Sequence, residues 1–286
     1  MILNEKFNLS NGIEIPKLGL GTWLVDNQKV VDIVKSAIEI GYRHIDTAQA
    51  YENEIGIGKG IKESGISRNE LFITSKIHAG FKTYLETKES INKSLKDLDV
   101  EYIDLMLIHA PQPWDKWRSN ERYFEENKEV WRALEEAYKN GLVKAIGVSN
   151  FLQDNLENLL KNSEIKPMVN QILIHISNTP KSLIDFCKNN DILVEAYSPI
   201  AHGVVLRNEK IAEIAKKYNV SIAQLCIKYI LKLNCLPLPK TTNIEHMKNN
   251  TLVDFDISDK DMQTLLNMET INSYDEFSYF PVFSKK

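Results

Sequence analysis

The amino-acid sequence predicts an α/β fold, a (β/α)8 TIM barrel with an N-terminal β-hairpin cap and a C-terminal loop over one end. Three observations lead to this prediction: eight short apolar runs recur along the 286 residues, amphipathic segments separate them, and seven runs end on a polar residue. The runs lie about 31 residues apart on average, the length of a strand–helix unit. They begin near Leu18, His44, Leu71, Ile103, Lys144, Pro167, Leu193 and Cys235.

The alternation of strands and helices indicates how the strands are arranged. Parallel strands need crossover helices, so eight strand–helix units predict a closed parallel barrel of roughly 250 residues with additions at its ends. A doubly wound open sheet is the alternative, and it usually carries a glycine fingerprint in its first strand–helix turn. Gly12, Gly19 and Gly21 do not have that spacing. No linker rich in proline, glycine or serine interrupts the chain, so residues 1–286 are expected to form a single domain.

The first predicted element is a β-hairpin. Segment 7–15 alternates apolar and polar residues on both sides of Asn11-Gly12. Asn-Gly between alternating runs is the strongest short hairpin signal, because both positions of a two-residue turn favour positive φ. We therefore expect this hairpin to cap the barrel.

Amphipathic stripes predict the helices between the barrel strands. Their apolar residues recur at intervals of three and four, which is typical of one helix face packed on a core. Gly41 and Gly141 follow two of the stripes and are expected to end helices, because glycine readily adopts the left-handed C′ conformation. The stripes are Val30, Ile33, Val34, Ala37 and Ile38; Ile91, Ser94, Leu95 and Leu98; Val130, Leu134, Ala137 and Tyr138; Ile211, Ile214, Ala215 and Tyr218; and Ile222, Leu225, Cys226 and Tyr229.

A cluster of glycines, Gly56-Ile57-Gly58-Lys59-Gly60, needs a separate interpretation. A glycine-rich phosphate loop would follow a strand, whereas this cluster lies within a helical stretch. We interpret these glycines as positions where two helices pack closely.

Composition and charge restrict the class of protein. With 43% hydrophobic and 26% charged residues, the chain is typical of a globular protein in water. Its 35 basic and 39 acidic residues give a net charge of −4 without a long run of one sign, so we expect no nucleic-acid partner. No apolar stretch approaches the roughly 20 residues of a membrane span, and residues 1–6 lack the features of a secretory signal. Cys187, Cys226 and Cys235 lie in apolar patterns as buried reduced thiols do, which predicts a cytoplasmic protein without a membrane partner.

Polar side chains end seven consecutive predicted strands. The carboxyl ends of all strands of a parallel barrel lie on one face, and the active sites of barrel enzymes are found on that face. One polar strand end has little meaning, but seven in series predict a functional site on that face. The residues are Asp46, Lys76, His109, Ser149 with Asn150, Gln171, Tyr197 with Ser198, and Lys240.

Four residues of this region suit proton transfer to a carbonyl oxygen. Asp46, Lys76 and His109 end three adjacent strands, so their side chains can converge, and Tyr51 lies five residues after Asp46. A tyrosine with its ordinary pKa of about 10 is a poor acid at neutral pH, but a nearby ammonium favours the phenolate and lowers that pKa. We expect Lys76 to act in this way, with Asp46 holding it in place. His109 could donate a hydrogen bond to a substrate oxygen.

Several motifs resemble those of one enzyme family, the aldo-keto reductases. The matching pieces, in family order, are Gly19–Trp23, Gly41–Ala48, Tyr51–Glu54 with Gly58, Lys144–Phe151 and Leu238–Lys240. The similarity runs from about residue 6 to residue 268. It implies a (β/α)8 oxidoreductase that binds a nicotinamide cofactor without a Rossmann domain. Its activity would be the reduction of aldehydes or ketones to alcohols, with small-molecule carbonyl compounds as substrates.

The resemblance implies a role for each matching residue. Tyr51 would be the general acid, tuned by Lys76 and Asp46, and His109 would orient the carbonyl group. The implied cofactor is NADPH, with NADH as a possible substitute. The cofactor-binding positions are Thr22, Trp23 and Asp46 near the nicotinamide and its ribose, Ser149, Asn150 and Gln171 at the carboxamide, Tyr197 stacked on the nicotinamide ring, Ser198, Pro199, Ile200 and Gly203 at the pyrophosphate, Lys240, Thr241, Thr242 and His246 at the 2′-phosphate, and Asn250 at the adenine.

Two positions at the adenosine end depart from the family pattern. His246 stands where an arginine is common, and Asn249 stands where an adenine-binding glutamate is common. Arginine stays charged and binds phosphate through two parallel donors, whereas histidine is at most partly charged at pH 7. The expected preference for NADPH over NADH therefore rests mainly on Lys240.

The implied substrate pocket is lined by Trp23, Tyr51, His109 and Trp114. The family commonly has a tryptophan after the catalytic histidine, and Ala110 stands there in this chain. Trp114 would have to fold back towards His109 to restore an aromatic wall.

Two long segments, 110–126 and 270–286, are the expected pocket loops, and the second is the C-terminal substrate loop. The second segment carries five aromatic residues, Tyr274, Phe277, Tyr279, Phe280 and Phe283. These rings could close an apolar substrate pocket or simply pack over the barrel rim, and the sequence leaves both open. His175 departs from the family pattern after Gln171, and we interpret it as structural.

Two other functions are compatible with parts of the sequence. His44, Asp46, His109 and His175 could be ligands of a metal-dependent hydrolase, but no second acidic cluster completes such a site and we expect no metal. The second alternative is a nicotinamide-nucleotide-binding sensor or structural barrel with little turnover. The retention of all four proton-transfer residues argues against it.

The resemblance implies a monomer or a weak dimer.

Overall fold

A computed structural model describes residues 1–271 and 273–284 of the chain. Its main feature is an eight-stranded sheet in which neighbouring strands run parallel, and all eight apolar runs supply one strand each. The strands are β1 (Lys6–Asn8) and β2 (Glu14–Pro16) of a separate hairpin, followed by β3 (Leu20–Gly21), β4 (His44–Asp46), β5 (Phe72–Ile77), β6 (Ile103–Ile108), β7 (Val143–Ser149), β8 (Val169–Leu173), β9 (Leu193–Tyr197) and β10 (Leu236–Leu238).

The sheet closes into a barrel between its first and last strands. Strands β3 to β10 are neighbours in chain order, and a parallel bridge between Gly21 and Lys240 joins the two edges. The amide of Gly21 donates to the carbonyl of Pro239 at 3.0 Å across the same seam. The open doubly wound sheet is therefore excluded, and the predicted (β/α)8 barrel is confirmed.

Helices connect the strands and pack outside them. They are α1 (Lys29–Ile40), α2 (Glu54–Ser64), α3 (Tyr84–Asp97), α4 (Phe124–Lys139), α5 (Gln153–Asn162), α6 (Lys181–Asn189), α7 (Glu209–Lys217), α8 (Ile222–Lys232), α9 (Ile244–Asn250) and α10 (Asp259–Leu266). The five predicted stripes fall on α1, α3, α4, α7 and α8. Gly41 ends α1 with a left-handed φ of 114°, as predicted. Helix α4 ends at Lys139, and Gly141 takes its positive φ two residues later.

The hairpin is present, but its turn differs from the predicted one. Strands β1 and β2 pair antiparallel, and Leu9 N donates to Ile13 O at 2.9 Å. Gly12 has a φ of +85°, whereas Asn11 is not left-handed. The loop therefore has three residues, with glycine alone in the left-handed position. The side-chain oxygen of Asn11 accepts from Ile13 N at 3.2 Å and stabilises this turn.

The glycine cluster of α2 lies where neighbouring backbones approach closely. A Cβ on Gly56 would lie 2.0 Å from the carbonyl oxygen of Asn27, and one on Gly58 would lie 2.3 Å from that of Leu98. Both distances are far below van der Waals contact, so only glycine fits. The interpretation as close helix packing is confirmed.

The three cysteines are buried free thiols, as predicted. Burial raises the pKa of Cys187 to about 11 and the pKa values of Cys226 and Cys235 to about 12, so all three behave as small apolar side chains. Over residues 1–271 and 273–284, the structure contains no helix with both the length and the apolar character that crossing a bilayer requires.

Candidate active site

The four residues predicted for proton transfer lie together at the carboxyl ends of β4, β5 and β6. Asp46 is the last residue of β4, and a short 3₁₀ turn, Gln49–Tyr51, carries Tyr51. Lys76 is the penultimate residue of β5, and His109 directly follows β6. Because these strands are adjacent and parallel, residues from three separate parts of the chain meet at one side of the barrel mouth.

Lys76 is the centre of this cluster. Its side chain is completely buried, and Nζ donates to Oδ1 of Asp46 at 2.7 Å, to the carbonyl of Thr47 at 2.8 Å and to the hydroxyl of Tyr51 at 3.5 Å. An ammonium group has three donors, so all of them are engaged. The expected ion pair between Asp46 and Lys76 is present, and it holds the cation beside the phenol.

The protonation state of Tyr51 differs from the sequence-based expectation. Burial raises the pKa of Tyr51, Lys76 lowers it and Asp46 raises it, and the net shift is upward. The expected lowering by Lys76 is therefore present but smaller than the effect of burial. Burial also lowers the pKa of Lys76, but Asp46, through its charge and hydrogen bond, leads the effects that raise it above 10.5. At neutral pH the pair is a neutral phenol beside a charged ammonium.

His109 completes the cluster as a neutral imidazole. Burial, followed by the charges of Lys76 and His78, holds the pKa of His109 well below 6.5. Its ring meets that of Tyr51 edge-on, with 5.6 Å between the centroids. No described residue forms a hydrogen bond with either ring nitrogen, and Nδ1 is fully buried. Trp114 also meets the imidazole edge-on, with 5.2 Å between the centroids, so it does fold back towards His109.

A second group of predicted residues forms a hydrogen-bonded chain at the ends of β7, β8 and β9. Asn150 has a left-handed φ of 62°, and its amide nitrogen donates to the carbonyl of His109 and to Oγ of Ser149, both at 3.0 Å. Tyr197 donates its hydroxyl to Oδ1 of Asn150 at 2.7 Å. Oγ of Ser149 donates to the carbonyl of Gln171 at 2.8 Å. These contacts fix the amide, the hydroxyl and the tyrosine ring relative to His109.

Gln171 connects this group to the charged cluster. Its Nε2 donates to Oδ2 of Asp46 at 2.8 Å and to Oε2 of Glu195 at 2.8 Å. Sequence reasoning did not single out Glu195, which is completely buried on β9. A signal was available, because Glu195 is the only charged residue in the strand Leu193–Tyr197. A carboxylate in such a strand rarely lacks a specific partner.

Thr22 and Trp23 lie in the loop after β3. Oγ1 of Thr22 donates to the backbone carbonyl of Asp46 at 2.9 Å, so Thr22 is adjacent to the cluster but its hydroxyl is engaged. Trp23 meets Phe280 edge-on at 4.7 Å and His202 at 5.5 Å. Its indole thus stands between the barrel mouth and the C-terminal segment.

The segment predicted to bind the pyrophosphate follows β9 and has an unusual backbone. Ser198, Ala201, His202 and Gly203 all have positive φ between 47° and 90°. His202, which sequence reasoning missed, accepts from or donates to Oγ of Ser198 at 3.2 Å and stacks on Phe277 at 4.4 Å. Pro199 and Ile200 lie in the turn between these residues. Within this loop the amide of Ala201 donates to the carbonyl of Ser198 at 2.8 Å and that of Gly203 donates to the carbonyl of Ile200 at 2.9 Å.

The residues predicted for the adenosine end lie beyond β10. Lys240 bridges to Gly21, and no described carboxylate pairs with its ammonium group. Oγ1 of Thr241 accepts from the amide of Asn243, and Asn243 caps helix α9. His246, in the first turn of this helix, and Thr242 are exposed, whereas Asn250 at the end of the helix is buried.

The two expected pocket loops meet over the mouth. Arg118 donates to the carbonyl of Ser284 at 2.7 Å, and Phe283 lies 6.4 Å from the ring of Tyr197 and 4.4 Å from that of His202. Residues 272, 285 and 286 of the predicted loop lie outside the described part. His175, interpreted as structural, binds the tail through Nε2 and the hydroxyl of Tyr274 at 2.9 Å.

The imagined metal ligands do not converge. Nε2 of His44 bonds to Oγ1 of Thr74 at 3.0 Å, and both ring nitrogens of His175 have partners. Among the residues that the structure describes, no three His, Cys, Asp or Glu side chains form a group able to hold a metal ion.

The donor and acceptor set fits a nicotinamide cofactor. No described residue donates to Oε1 of Gln171, an amide oxygen that matches the N–H₂ group of a carboxamide. Tyr197 supplies an aromatic ring beside it, and its hydroxyl bond to Asn150 holds that ring in place. The ammonium of Lys240, free of a carboxylate partner among the described residues, suits a phosphate group.

Comparisons with known proteins identify the family of the chain. A family model described as "Aldo/keto reductase family" matches residues 17–269. The chain is 44% identical over 266 residues to a glyoxal reductase of Bacillus subtilis, covering 92% of each protein. It is 35% identical to aldehyde reductase YPR1 of Saccharomyces cerevisiae, covering 96% of each. Its fold matches a Bombyx mori aldo-keto reductase solved with NADP, with a TM-score of 0.84, 31% identity and 98% of each chain covered. The chain therefore belongs to the aldo/keto reductase family.

Proposed function

We propose that this protein reduces aldehydes or ketones to alcohols with NADPH, and that Tyr51 is the general acid. The observation that carries the proposal is the contact of Lys76 with both Asp46 and Tyr51 at the barrel mouth, beside a neutral His109. When bound, the nicotinamide supplies the hydride that is added to the carbonyl carbon. The residues of the chain supply the proton and the geometry.

The proton comes from the hydroxyl of Tyr51. Because burial raises the pKa of Tyr51, the hydroxyl carries its proton at neutral pH. As the carbonyl carbon gains a hydride, its oxygen gains negative charge and becomes a strong proton acceptor. The proton moves from Tyr51 to that oxygen, and the resulting phenolate lies 3.5 Å from the ammonium of Lys76. The cation therefore stabilises charge where it develops, which is the electrostatic part of the catalysis.

His109 orients the carbonyl group in this proposal. A neutral imidazole has one N–H donor, and no described residue accepts a bond from either ring nitrogen. A substrate oxygen held between His109 and Tyr51 would accept from both. Trp114 packs against the imidazole and limits its rotation.

The remaining predicted residues would position the cofactor. Ser149, Asn150 and Gln171 would hold the carboxamide, with Tyr197 against the nicotinamide ring. Thr22, Trp23 and Asp46 would lie beside the nicotinamide ring and its ribose. The pyrophosphate would be bound by Ser198, Pro199, Ile200 and Gly203. The adenosine 2′-phosphate would be bound by Lys240, Thr241, Thr242 and His246, and the adenine by Asn250. Support for NADPH over NADH comes from the ammonium of Lys240 and from the NADP bound in the Bombyx mori relative.

The substrate proposed is a small carbonyl compound. The printed names of the relatives, glyoxal reductase and aldehyde reductase, support this class. Trp114 offers an aromatic wall beside His109, and Trp23 packs on the aromatic tail through Phe280. We also propose a single domain of residues 1–286, a cytoplasmic location, consistent with the three reduced thiols, and a monomer or weak dimer.

The test is turnover by the purified protein. We expect oxidation of NADPH with glyoxal or a simple aldehyde and formation of an equal amount of the alcohol, with NADH a poorer cofactor. The alternative, a nucleotide-binding sensor with little turnover, predicts tight NADPH binding without product. Product absent across a panel of aldehydes, ketones and diketones would favour that alternative.

A further inference from the structure

A glutamate lies inside the barrel beneath the proposed cofactor site. Glu195 is completely buried on β9 and pairs in register with Gln171 on β8. Buried carboxyl groups are costly unless a specific partner satisfies them, so the position requires a physical reason. Leu236 on β10, the register partner on the other side, offers only an apolar side chain.

The reason lies in the side-chain amide of Gln171. Its nitrogen has two hydrogens, and these are donated to Oε2 of Glu195 and Oδ2 of Asp46, both at 2.8 Å. The amide nitrogen is therefore held between two carboxyl groups, and Oε1 of Gln171 must point away from both. Rotating the amide by half a turn would place its oxygen against the carboxylate oxygen Oδ2 of Asp46, so the observed orientation is preferred.

The charges around Glu195 indicate that it is a neutral acid. The charged groups that face it are Asp46 and Lys76. The three N–H groups of Lys76 already donate to Asp46, Thr47 and Tyr51, so none of them donates to Glu195. Oε1 of Glu195 has no partner among the described residues. Burial and the charge of Asp46 raise the pKa of Glu195 to about 8, against the smaller effects of Gln171 and Lys76. One ammonium thus faces one carboxylate and one carboxylic acid at neutral pH.

We propose that Glu195 is a positioning residue: as a neutral acid it fixes the Gln171 amide so that Oε1 presents an acceptor to the cofactor carboxamide. A second ionised carboxyl beside Asp46 would compete for Lys76, the cation that Tyr51 needs. The neutral acid orients Gln171 without that competition. This inference rests on the proposed use of a nicotinamide cofactor.

The first arm of the test measures the protonation of Glu195 without cofactor. The folded pKa of about 8 lies above the ordinary 4.5, so the folded protein binds an extra proton between these values, and stability from this group falls as pH rises through that window. Glu195→Gln cannot titrate. Between pH 5 and pH 8, the equilibrium constant for unfolding (unfolded over folded protein) should rise with pH in the wild type by up to about tenfold per pH unit more than in that variant. Parallel profiles for the two proteins would overturn the neutral-acid assignment.

The second arm measures positioning through NADP⁺ binding by calorimetry, which involves no turnover. Glu195→Leu removes the acceptor of the Gln171 amide and should weaken NADP⁺ binding about tenfold, the size of one hydrogen bond of about 1.4 kcal/mol. Glu195→Gln keeps an acceptor oxygen and should stay within about threefold of the wild type. Equal affinity in the wild type and Glu195→Leu would overturn the positioning role.

A matched control and the wild type separate the possible failures. Glu135 is also buried, but it accepts from the amides of Glu164 and Ile165 on the outside of the barrel, so Glu135→Gln should leave NADP⁺ affinity unchanged. An equal loss in this control would overturn the assignment, since the effect would then be general. A wild type that binds no NADP⁺ would contradict the proposed function itself. If Glu195→Leu does not fold, the pH arm with Glu195→Gln still decides the protonation state.

Discussion

The ammonium nitrogen of Lys76 lies 3.5 Å from the hydroxyl of Tyr51 and 5.0 Å from the centre of its ring. The phenol next to this cation remains protonated, because burial raises its pKa more than Lys76 lowers it. Proton donors need a proton at working pH and a stabilised conjugate base, and this pair supplies both.

Removing the hydroxyl of Tyr51 should abolish proton transfer and spare binding. We expect Tyr51→Phe to reduce kcat by about 10²- to 10⁴-fold, the usual contribution of a general acid, with little change in NADPH affinity. Steady-state kinetics and fluorescence titration measure the two quantities. Tyr138→Phe is the control, since that hydroxyl contacts Asn11 of the hairpin and should leave kcat unchanged. Full turnover by Tyr51→Phe would show that another group donates the proton.

Removing Lys76 should destabilise the fold because it leaves Asp46 buried without its cation. Breaking one partner of a buried ion pair costs about 3–5 kcal/mol, so Lys76→Met should lower the free energy of unfolding by about that amount. The double variant Lys76→Met/Asp46→Asn removes both charges and should recover a large part of the loss. Denaturant unfolding of both variants measures the difference. A double variant no more stable than Lys76→Met would contradict the ion-pair explanation.

Acid should destabilise the protein through its buried histidines. Burial lowers the pKa of His175 to about 4 and that of His44 to about 3, both from 6.5. Since the unfolded chain binds these protons first, stability contributed by each neutral histidine is present above pH 6.5 and is lost as pH falls towards its folded pKa. Each contributes a slope of up to about 1.4 kcal/mol per pH unit.

The measurement is the free energy of unfolding between pH 7 and pH 4. We expect His175→Gln to show a shallower decline than the wild type. An unchanged slope in this variant would mean that His175 does not titrate on unfolding. Because Glu195 acts in the opposite direction over pH 4.5 to 8, the comparison is best made in the Glu195→Gln background.

The choice between cofactors should depend on the exposed first turn of α9. His246→Arg introduces a permanently charged guanidinium whose two parallel donors suit a phosphate group. We expect NADPH to bind up to about tenfold more tightly, as one added charge-assisted hydrogen bond allows, with NADH affinity unchanged. Titration with both cofactors measures this. No gain for NADPH would place the 2′-phosphate away from His246.

The aromatic tail should affect the binding of apolar substrates. Phe283 is nearly buried and contacts Trp23, Tyr197 and His202, so Phe283→Ala should loosen the tail and raise KM for an aromatic aldehyde more than for glyoxal. Tyr279→Ala is the control, because that ring is 73% exposed. Equal KM changes for both substrates would favour simple packing over the barrel rim.

The barrel and most of its site could be predicted from local patterns. The eight apolar runs became eight strands, and Gly56 and Gly58 lie where a Cβ would collide with a neighbouring backbone. These features depend on periodicity and on residue size, and both can be read from the sequence alone. The two-residue hairpin turn predicted from Asn-Gly is wrong, because this dipeptide is compatible with more than one turn. The hydrogen bond from Ile13 N to the side chain of Asn11 favours the observed three-residue loop.

Other features required contacts between distant parts of the chain. Asp46 and Gln171 are separated by 125 positions, and the closed barrel brings them within hydrogen-bond distance. His202 likewise gained its role from rings of a tail more than 70 residues away. Sequence spacing carries no information about such pairs, because they depend on which side chains the barrel places opposite one another.

The sequence by itself determined the order of the strands, the polar residue at each strand end and the family to which the chain belongs. Only the tertiary structure decided the protonation of the buried groups of the site. Burial outweighs Lys76 in setting the pKa of Tyr51 and raises that of Glu195 to about 8, so both hold protons at neutral pH. Desolvation depends on everything packed around a group, and that packing exists only in the folded barrel.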